Sequence, residues 1–268
     1  MARLMGIVTH HKGGTVWIKR VIRALSTEIG VPWTGIWSDK RKDHIPSQGR
    51  AFLCNWSGWL PKSLWQSGEF AALHVVRDPR DILLSGCAYH QTAGPKGERF
   101  LHEPRADLAG RTYQEHLLAL RDPTEQLMFE MENKHAVTMA EMRVWPWGNA
   151  HNVELRYEDL MQDRDGLRFG DALTRLGLAP NEVLAGIRAF IDNSLFGGLA
   201  RQEDRQGRLA THIRSGGKLQ RWRDELPAEV GRAYAHRFGG DLIALGYETD
   251  DSWVDTLLAD PGQEVQHG

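Results

Sequence analysis

The apolar run Leu4-Met5-Gly6-Ile7-Val8 passes through His11-Lys12-Gly13-Gly14-Thr15 into the helix-forming stretch Val16-Trp17-Ile18-Lys19-Arg20-Val21-Ile22. No other feature constrains the fold as tightly. A buried strand, a glycine turn and a helix in immediate succession open a parallel α/β sheet. The glycines let the backbone turn and expose its N–H groups. The helix start adds unpaired donors and a partial positive charge, and Lys12 adds a full charge on a flexible stem. Together these suit an anion of the phosphate kind. Taken alone, the Lys-Gly-Gly-Thr turn is equally compatible with a plain reversal of the chain. It is not a nucleoside-triphosphate loop, which needs Gly-Lys-Ser/Thr; that tripeptide occurs nowhere in the sequence.

The pattern recurs. Ala71–Arg77 reads as a buried strand, broken by Asp78-Pro79-Arg80-Asp81. Proline suits the first helical position and the aspartate before it suits a cap. Arg77 at the strand end and Ser85 on the following helix can converge on one phosphate, while a charge cluster that merely caps a helix has the same composition. Further strands are expected at Leu4–Thr9, Ala51–Asn55 and Val153–Arg156. Helices are expected at Thr15–Ile29, Arg80–Tyr89, Tyr113–Leu120, Pro123–Val144, Asp163–Leu176, Pro180–Asn193 and Pro227–Leu245. Strands alternating with helices indicate an α/β fold with a mostly parallel central sheet flanked by helices. Gln91–Arg111 and Gln202–Gly217 read as irregular segments of the kind that form lids or binding loops.

The 268 residues, 41% of them hydrophobic, are ample for one core. The expectation is a single domain over 1–259 and a disordered tail over 260–268. A formal net charge of −2 gives no reason to expect nucleic acid or an anionic membrane surface. Two cysteines, Cys54 and Cys87, are too few for a disulfide framework or a metal motif. As buried thiols they suit a reducing compartment. No signal-peptide core and no span-length apolar run occurs, so the expectation is a cytoplasmic protein. Nothing points to an oligomer.

Lys-Gly-Gly-Thr-Val-Trp (12–17) and Val-Val-Arg-Asp-Pro-Arg-Asp-Ile-Leu-Leu-Ser (75–85) together resemble the PAPS-dependent sulfotransferases of cytosolic type. PAPS is 3′-phosphoadenosine 5′-phosphosulfate. Glu154-Leu155-Arg156-Tyr157-Glu158-Asp159-Leu160 resembles the family's strand followed by Tyr-Glu-Asp. His212-Ile213-Arg214-Ser215-Gly216-Gly217 with Trp222-Arg223 resembles its late Arg-x-Gly…Trp segment, so the likeness runs from about residue 4 to about residue 247. It implies a P-loop-like sulfotransferase fold and transfer of a sulfuryl group from PAPS to a small-molecule hydroxyl or amine. PAP, the adenosine bisphosphate, is released and no metal takes part. Two other readings stay open: a non-catalytic PAPS- or PAP-binding protein, and a P-loop kinase-like phosphotransferase dependent on magnesium.

Residue by residue, the resemblance makes Lys12 the cation at the bridging oxygen of the donor. Gly13, Gly14, Thr15 and Val16 bring N–H groups to the 5′-phosphosulfate, and Trp17 stacks on adenine. Arg77 and Ser85 bind the 3′-phosphate with Arg214, Ser215 and Gly216. Tyr157 lies near adenine, and Ser194-Leu195-Phe196 matches the segment whose phenylalanine closes the other adenine face. The family's catalytic histidine position falls on Asn55, and an amide has no titratable proton. His90 is the first candidate for a substitute base, with His10 and Glu98 behind it.

Overall fold

The computed structural model describes residues 3–37, 44–95, 98–206 and 217–257. In chain order its main elements are β1 (Leu4–Val8), α1 (Thr15–Ile29), β2 (Trp33–Gly35), β3 (Ala51–Asn55), α2 (Lys62–Trp65), β4 (Phe70–Val76), α3 (Pro79–His90), α4 (Tyr113–Ala119), α5 (Pro123–Glu130), α6 (Ala136–Arg143), β5 (Asn152–Arg156), α7 (Tyr157–Gln162), α8 (Leu167–Arg175), α9 (Pro180–Asp192), α10 (Trp222–Glu225) and α11 (Ala228–Ala244). They gather into two compact units. The first comprises Met1–Arg77 and Ala140–Gly217, the second Asp78–Met139 and Lys218–Gly268.

The first unit is built on a five-stranded sheet in the order β2-β3-β1-β4-β5. Every pairing in it is parallel. Buried on both faces, β1 and β3 are short apolar runs, as parallel strands are. Leu4, Val8, Ala51, Leu53, Phe70 and Ala72 join Leu60, Leu64 and Trp145 in one apolar cluster. Helix α1 buries Ile18, Val21, Ile22 and Leu25, a three-to-four-residue spacing that makes one apolar stripe, and it packs beside α9, which in turn packs on α8. From β1 the chain runs out to β2 and β3 on one side, then crosses to β4 and β5 on the other. The crevice at the carboxyl end of β1 is therefore a topological switch point, the usual ligand position in such sheets.

The second unit is helical. Asp78 caps α3 by accepting from the Arg80 N–H at 3.0 Å, with Pro79 in the first turn as the sequence implies. The stretch expected as one helix over Pro123–Val144 is α5 and α6 joined by a π-turn at Met131–His135. Among the described residues of 91–111 there are two short 3₁₀ turns, Arg99–His102 and Ala106–Leu108. Strand β2 and helix α2 were not anticipated; at three and four residues neither shows a period. Among the described residues no helix is long and apolar enough to cross a membrane.

Candidate active site

The turn after β1 is tied back to its neighbours. Thr9 donates its N–H to the Asn55 carbonyl at 3.1 Å. The His10 carbonyl accepts from the Gly13 N–H at 2.9 Å and from the Thr15 hydroxyl at 3.0 Å. Lys12 and Gly14 are both left-handed, with φ of 57° and 97°. Such alternation turns successive N–H groups to one side, forming an anion-binding concavity. Helix α1 starts there with no side-chain cap and no acidic residue in its first turn. The positive end of a fifteen-residue helix dipole thus opens onto Gly13, Gly14, Thr15 and Val16.

Gly14 cannot be exchanged freely. A Cβ there would lie 2.9 Å from Cδ2 of Tyr157, and a left-handed residue other than glycine carries strain. Gly14→Ala is expected to lower stability by about 1–3 kcal/mol in urea denaturation. An unchanged midpoint would show that the turn tolerates a side chain.

Arg77, at the end of β4, reaches this turn. Its Nη1 donates to the Lys12 carbonyl at 3.1 Å, and its guanidinium sits 4.7 Å over the Tyr157 ring. Lys12, Arg77 and Tyr157 therefore belong to one cluster, although they come from three separate strand ends. Trp17 lies in an aromatic group beside it. Its ring stacks on Phe190 at 4.7 Å and meets Tyr157 and Phe196 edge-on at 6.1 and 6.0 Å. Phe190, buried and stacked in turn on Phe169 at 4.6 Å, takes one face of Trp17. The sequence marked Phe190 only as lying within the helix expected at Pro180–Asn193.

Other expected site residues are placed differently. Ser194 is fully buried, and its hydroxyl donates to the Ile191 carbonyl at 2.8 Å, closing the end of α9. Phe196 is half-buried, with the Arg164 guanidinium 4.9 Å over its ring. Asn55 is wholly engaged in shaping the next loop. Its Nδ2 donates to the Ile36 carbonyl at 2.7 Å, and its Oδ1 accepts from the N–H groups of Ser57 and Trp59 at 2.7 and 3.1 Å. A side-chain amide used at both ends orders a loop and has no base to offer. Arg214, Ser215 and Gly216 lie outside the described residues.

Ser85 and His90 belong to the second unit. Ser85 is half-buried midway along α3. His90 ends that helix fully buried, its Nδ1 2.7 Å from Glu130 Oε2, the same oxygen that accepts from the Tyr113 hydroxyl at 2.7 Å. Burial, and then the Glu130 charge, push the Tyr113 phenol well above its ordinary value. His90 is thus enclosed in the protein interior, in a hydrogen-bonded trio with a carboxylate and a phenol.

A second polar group lies directly behind the Lys12 turn. His10 Nε2 faces His74 Nε2 at 2.9 Å, and His74 Nδ1 faces Glu154 Oε2 at 2.5 Å. Glu154 Oε1 accepts from the Trp145 indole N–H at 2.9 Å. On the other side, His10 Nδ1 is 4.0 Å from Glu141 Oε2. Both imidazoles are fully buried. Sequence reading had named His10 but not its partners. His74 and Glu154 are register partners on adjacent strands, eighty residues apart in sequence.

No family model matches this chain, and no curated protein sequence does. Solved structures do. Retinol dehydratase in a complex with retinol and PAP aligns with a TM-score of 0.53 at 13% identity, covering 90% of this chain and 82% of that one. The same enzyme with androsterone and the inactive cofactor PAP gives 0.52 at 12%, covering 90% and 80%. Mouse sulfotransferase SULT7A1 complexed with PAP gives 0.49 at 14%, covering 89% and 84%. The two retinol dehydratase matches establish the fold, a parallel α/β sheet flanked by helices and shared with PAP-binding enzymes.

Proposed function

We propose that this chain is a sulfotransferase that moves a sulfuryl group from PAPS to a hydroxyl or amine of a small-molecule acceptor and releases PAP. The observation that carries the reading is the union of an uncapped helix start, a left-handed Lys12 and an Arg77 bonded to the Lys12 carbonyl. These are three sources of positive potential at one turn, at the switch point of the sheet. The order of motifs along the sequence supports the donor's identity, and so does the fold shared with structures that hold PAP. Those structures also carry retinol or androsterone, which favours a small apolar alcohol as the acceptor class.

In this reading the first-turn amides of α1 bind the 5′-phosphosulfate, and Arg77 supplies charge-assisted bonds to phosphate. The acceptor oxygen or nitrogen forms the new bond to sulfur as the bond from sulfur to the bridging oxygen breaks. Charge builds on that oxygen, and Lys12 stabilises it electrostatically or protonates it. The aromatic group of Trp17, Tyr157 and Phe196 receives adenine edge or face. The engagement of Asn55 at both its amide ends favours a second reading, a protein that binds PAP without turnover. Cytoplasmic residence fits Cys54 and Cys87, buried free thiols that burial pushes up to about 12, too high for a reactive thiolate.

The test is thermal. PAP in EDTA at a hundredfold excess over its Kd should stabilise the fold by about 2.7 kcal/mol. A response to Mg-ATP in place of PAP would turn the assignment to a phosphotransferase. Labelled PAPS offered with phenol, alcohol and amine acceptors then separates an enzyme from a binder.

A further inference from the structure

We propose that Glu141, His10, His74 and Glu154 form a proton relay behind the donor turn, with Glu141 as the base that receives the acceptor's proton. The inference rests on the sulfotransferase reading and supplies what that reading lacks, since Asn55 is spent on its loop and His90 is enclosed.

The hydrogen-bond bookkeeping constrains the relay. Glu154 accepts from the Trp145 indole through one oxygen and meets His74 Nδ1 with the other. A carboxylate only accepts, so His74 Nδ1 carries a hydrogen. The two Nε2 atoms, 2.9 Å apart, then share a single proton. Either His10 donates to a neutral His74, or an imidazolium His74 donates to His10. The second state holds one proton more, at His10 Nδ1, with the shared proton moved one short hop onto His74. A proton arriving at His10 Nδ1 therefore drives the shared proton onto His74, whose new positive charge lies against the Glu154 carboxylate. Buried charge needs such a partner, and Glu154 is already in place at 2.5 Å.

The outer end is Glu141. Its Oε2 faces His10 Nδ1 at 4.0 Å, and its side chain is 20% exposed where those of both histidines are 0%. Glu154, at the other end, is 30% exposed, but both its oxygens are engaged, by Trp145 and by His74; Glu141 is the other carboxylate that reaches the surface, where an acceptor can approach. The inner end is held rigidly. Trp145 stacks on His74 at 4.2 Å. The His10 ring packs so closely under Gly58 that a Cβ there would lie 2.2 Å from Cε1. The same His10 whose ring joins the relay holds Gly13 and Thr15 through its carbonyl, so relay and donor turn share one residue.

The step balances. The acceptor oxygen bonds to sulfur, the sulfur–bridging oxygen bond breaks, and its electron pair stays on the phosphate of PAP. The acceptor's proton passes to the Glu141 carboxylate and, once the 4.0 Å gap to His10 Nδ1 closes to hydrogen-bond length, on to that nitrogen, while the His10 Nε2 proton passes to His74. Glu141 is left ionised again, and the proton later leaves to solvent by the same path. Glu141 is the catalytic residue here; His10, His74 and Glu154 are positioning residues that act through it.

Glu141→Gln should lower kcat about a hundredfold, the lower end of what a placed base contributes, with PAP affinity and donor KM unchanged. Glu141→Asp should recover part of the loss. Because His74 is buried, its own role is read spectroscopically in the intact wild type. Imidazole ¹⁵N spectra should show one proton coupled to both Nε2 atoms. An unchanged kcat in Glu141→Gln overturns the relay, as does a loss matched by equal loss of PAP affinity, or two histidines that titrate independently. Binding of PAP without transfer to water, phenols, alcohols or amines also overturns the relay and leaves the donor pocket standing. Failure to bind PAP at all removes the donor reading itself.

Discussion

Lys12→Ala is expected to lower sulfuryl transfer 100- to 1,000-fold, in the range of about 10²–10³ found for removal of one group that stabilises developing charge. PAP binding and thermal stability should change little. The separation follows from where the residue's two parts act. The backbone of Lys12 is left-handed, and its carbonyl is held by Arg77; alanine keeps that carbonyl and meets the same conformational strain as lysine. The side chain contributes the ammonium, and PAP, the spent product, lacks the bond whose rupture the ammonium assists. On the proposed reading, ground-state binding of PAP would rest on the helix amides and Arg77, which the substitution leaves in place. Lys12→Arg should recover only part of the rate, because a planar, weakly hydrated guanidinium does not replace a compact ammonium at one oxygen. The measurement is single-turnover transfer from labelled PAPS beside PAP titration by calorimetry. Unchanged turnover would refute the assigned role, and equal loss of binding and rate would make Lys12 a binding residue only.

Much of the first unit was legible because buried parallel strands are short apolar runs that end abruptly. Ala51–Asn55 and Thr15–Ile29 fall where the sequence places them; β1 and β5 differ by a residue at one end and β4 by a residue at each end. The turn at Lys12, Gly13 and Gly14 was legible as a strand–helix junction, because glycines let the chain reverse between an apolar run and a helix. What escaped depends on register or on packing. Nothing local to His74 points to Glu154; the link exists because β4 and β5 pair with those two residues opposite each other. Phe190 sits in an apolar stripe like any core residue, and only the fold sets it against Trp17. Ser194 has the composition of a ligand segment, yet one hydrogen bond at the end of α9 consumes its hydroxyl. The π-turn at Met131–His135 interrupts no apolar pattern, so Pro123–Val144 read as one helix.

Arg80→Met is expected to destabilise the fold by about 3–5 kcal/mol, the usual cost of removing one partner from a buried ion pair. For a chain of this size that is a fall in Tm on the order of 10 °C. In sequence Arg80 sits beside Arg77 in Arg-Asp-Pro-Arg-Asp and has the same claim to a phosphate. The structure gives the two arginines different work. Arg80 is 1% exposed. Its Nε and Nη2 grip the two oxygens of Asp78 at 3.0 and 2.9 Å, and its Nη1 meets Glu248 at 2.5 Å. The Trp222 ring lies 3.6 Å from the guanidinium carbon and the Trp253 ring 4.6 Å. Burial alone would lower the Arg80 pKa, but Asp78 and Glu248 more than offset it and raise it. Asp81 completes the clamp by accepting from the Trp222 N–H at 3.1 Å. Helix α3 thereby holds the start of α10 and the segment after α11 through one cation, three carboxylates and two indoles. Methionine would keep the bulk between the rings but take away the guanidinium that grips both oxygens of Asp78, a residue only 3% exposed. Asp78 also caps α3, so its carboxylate cannot simply turn to solvent without releasing the helix start. Chemical denaturation of Arg80→Met beside Arg77→Met separates the two roles. The Arg80 variant should lose stability, and the Arg77 variant should lose PAP affinity more than stability. An Arg80→Met midpoint equal to that of the wild type would show that the clamp contributes nothing net, its Coulomb gain cancelled by desolvation.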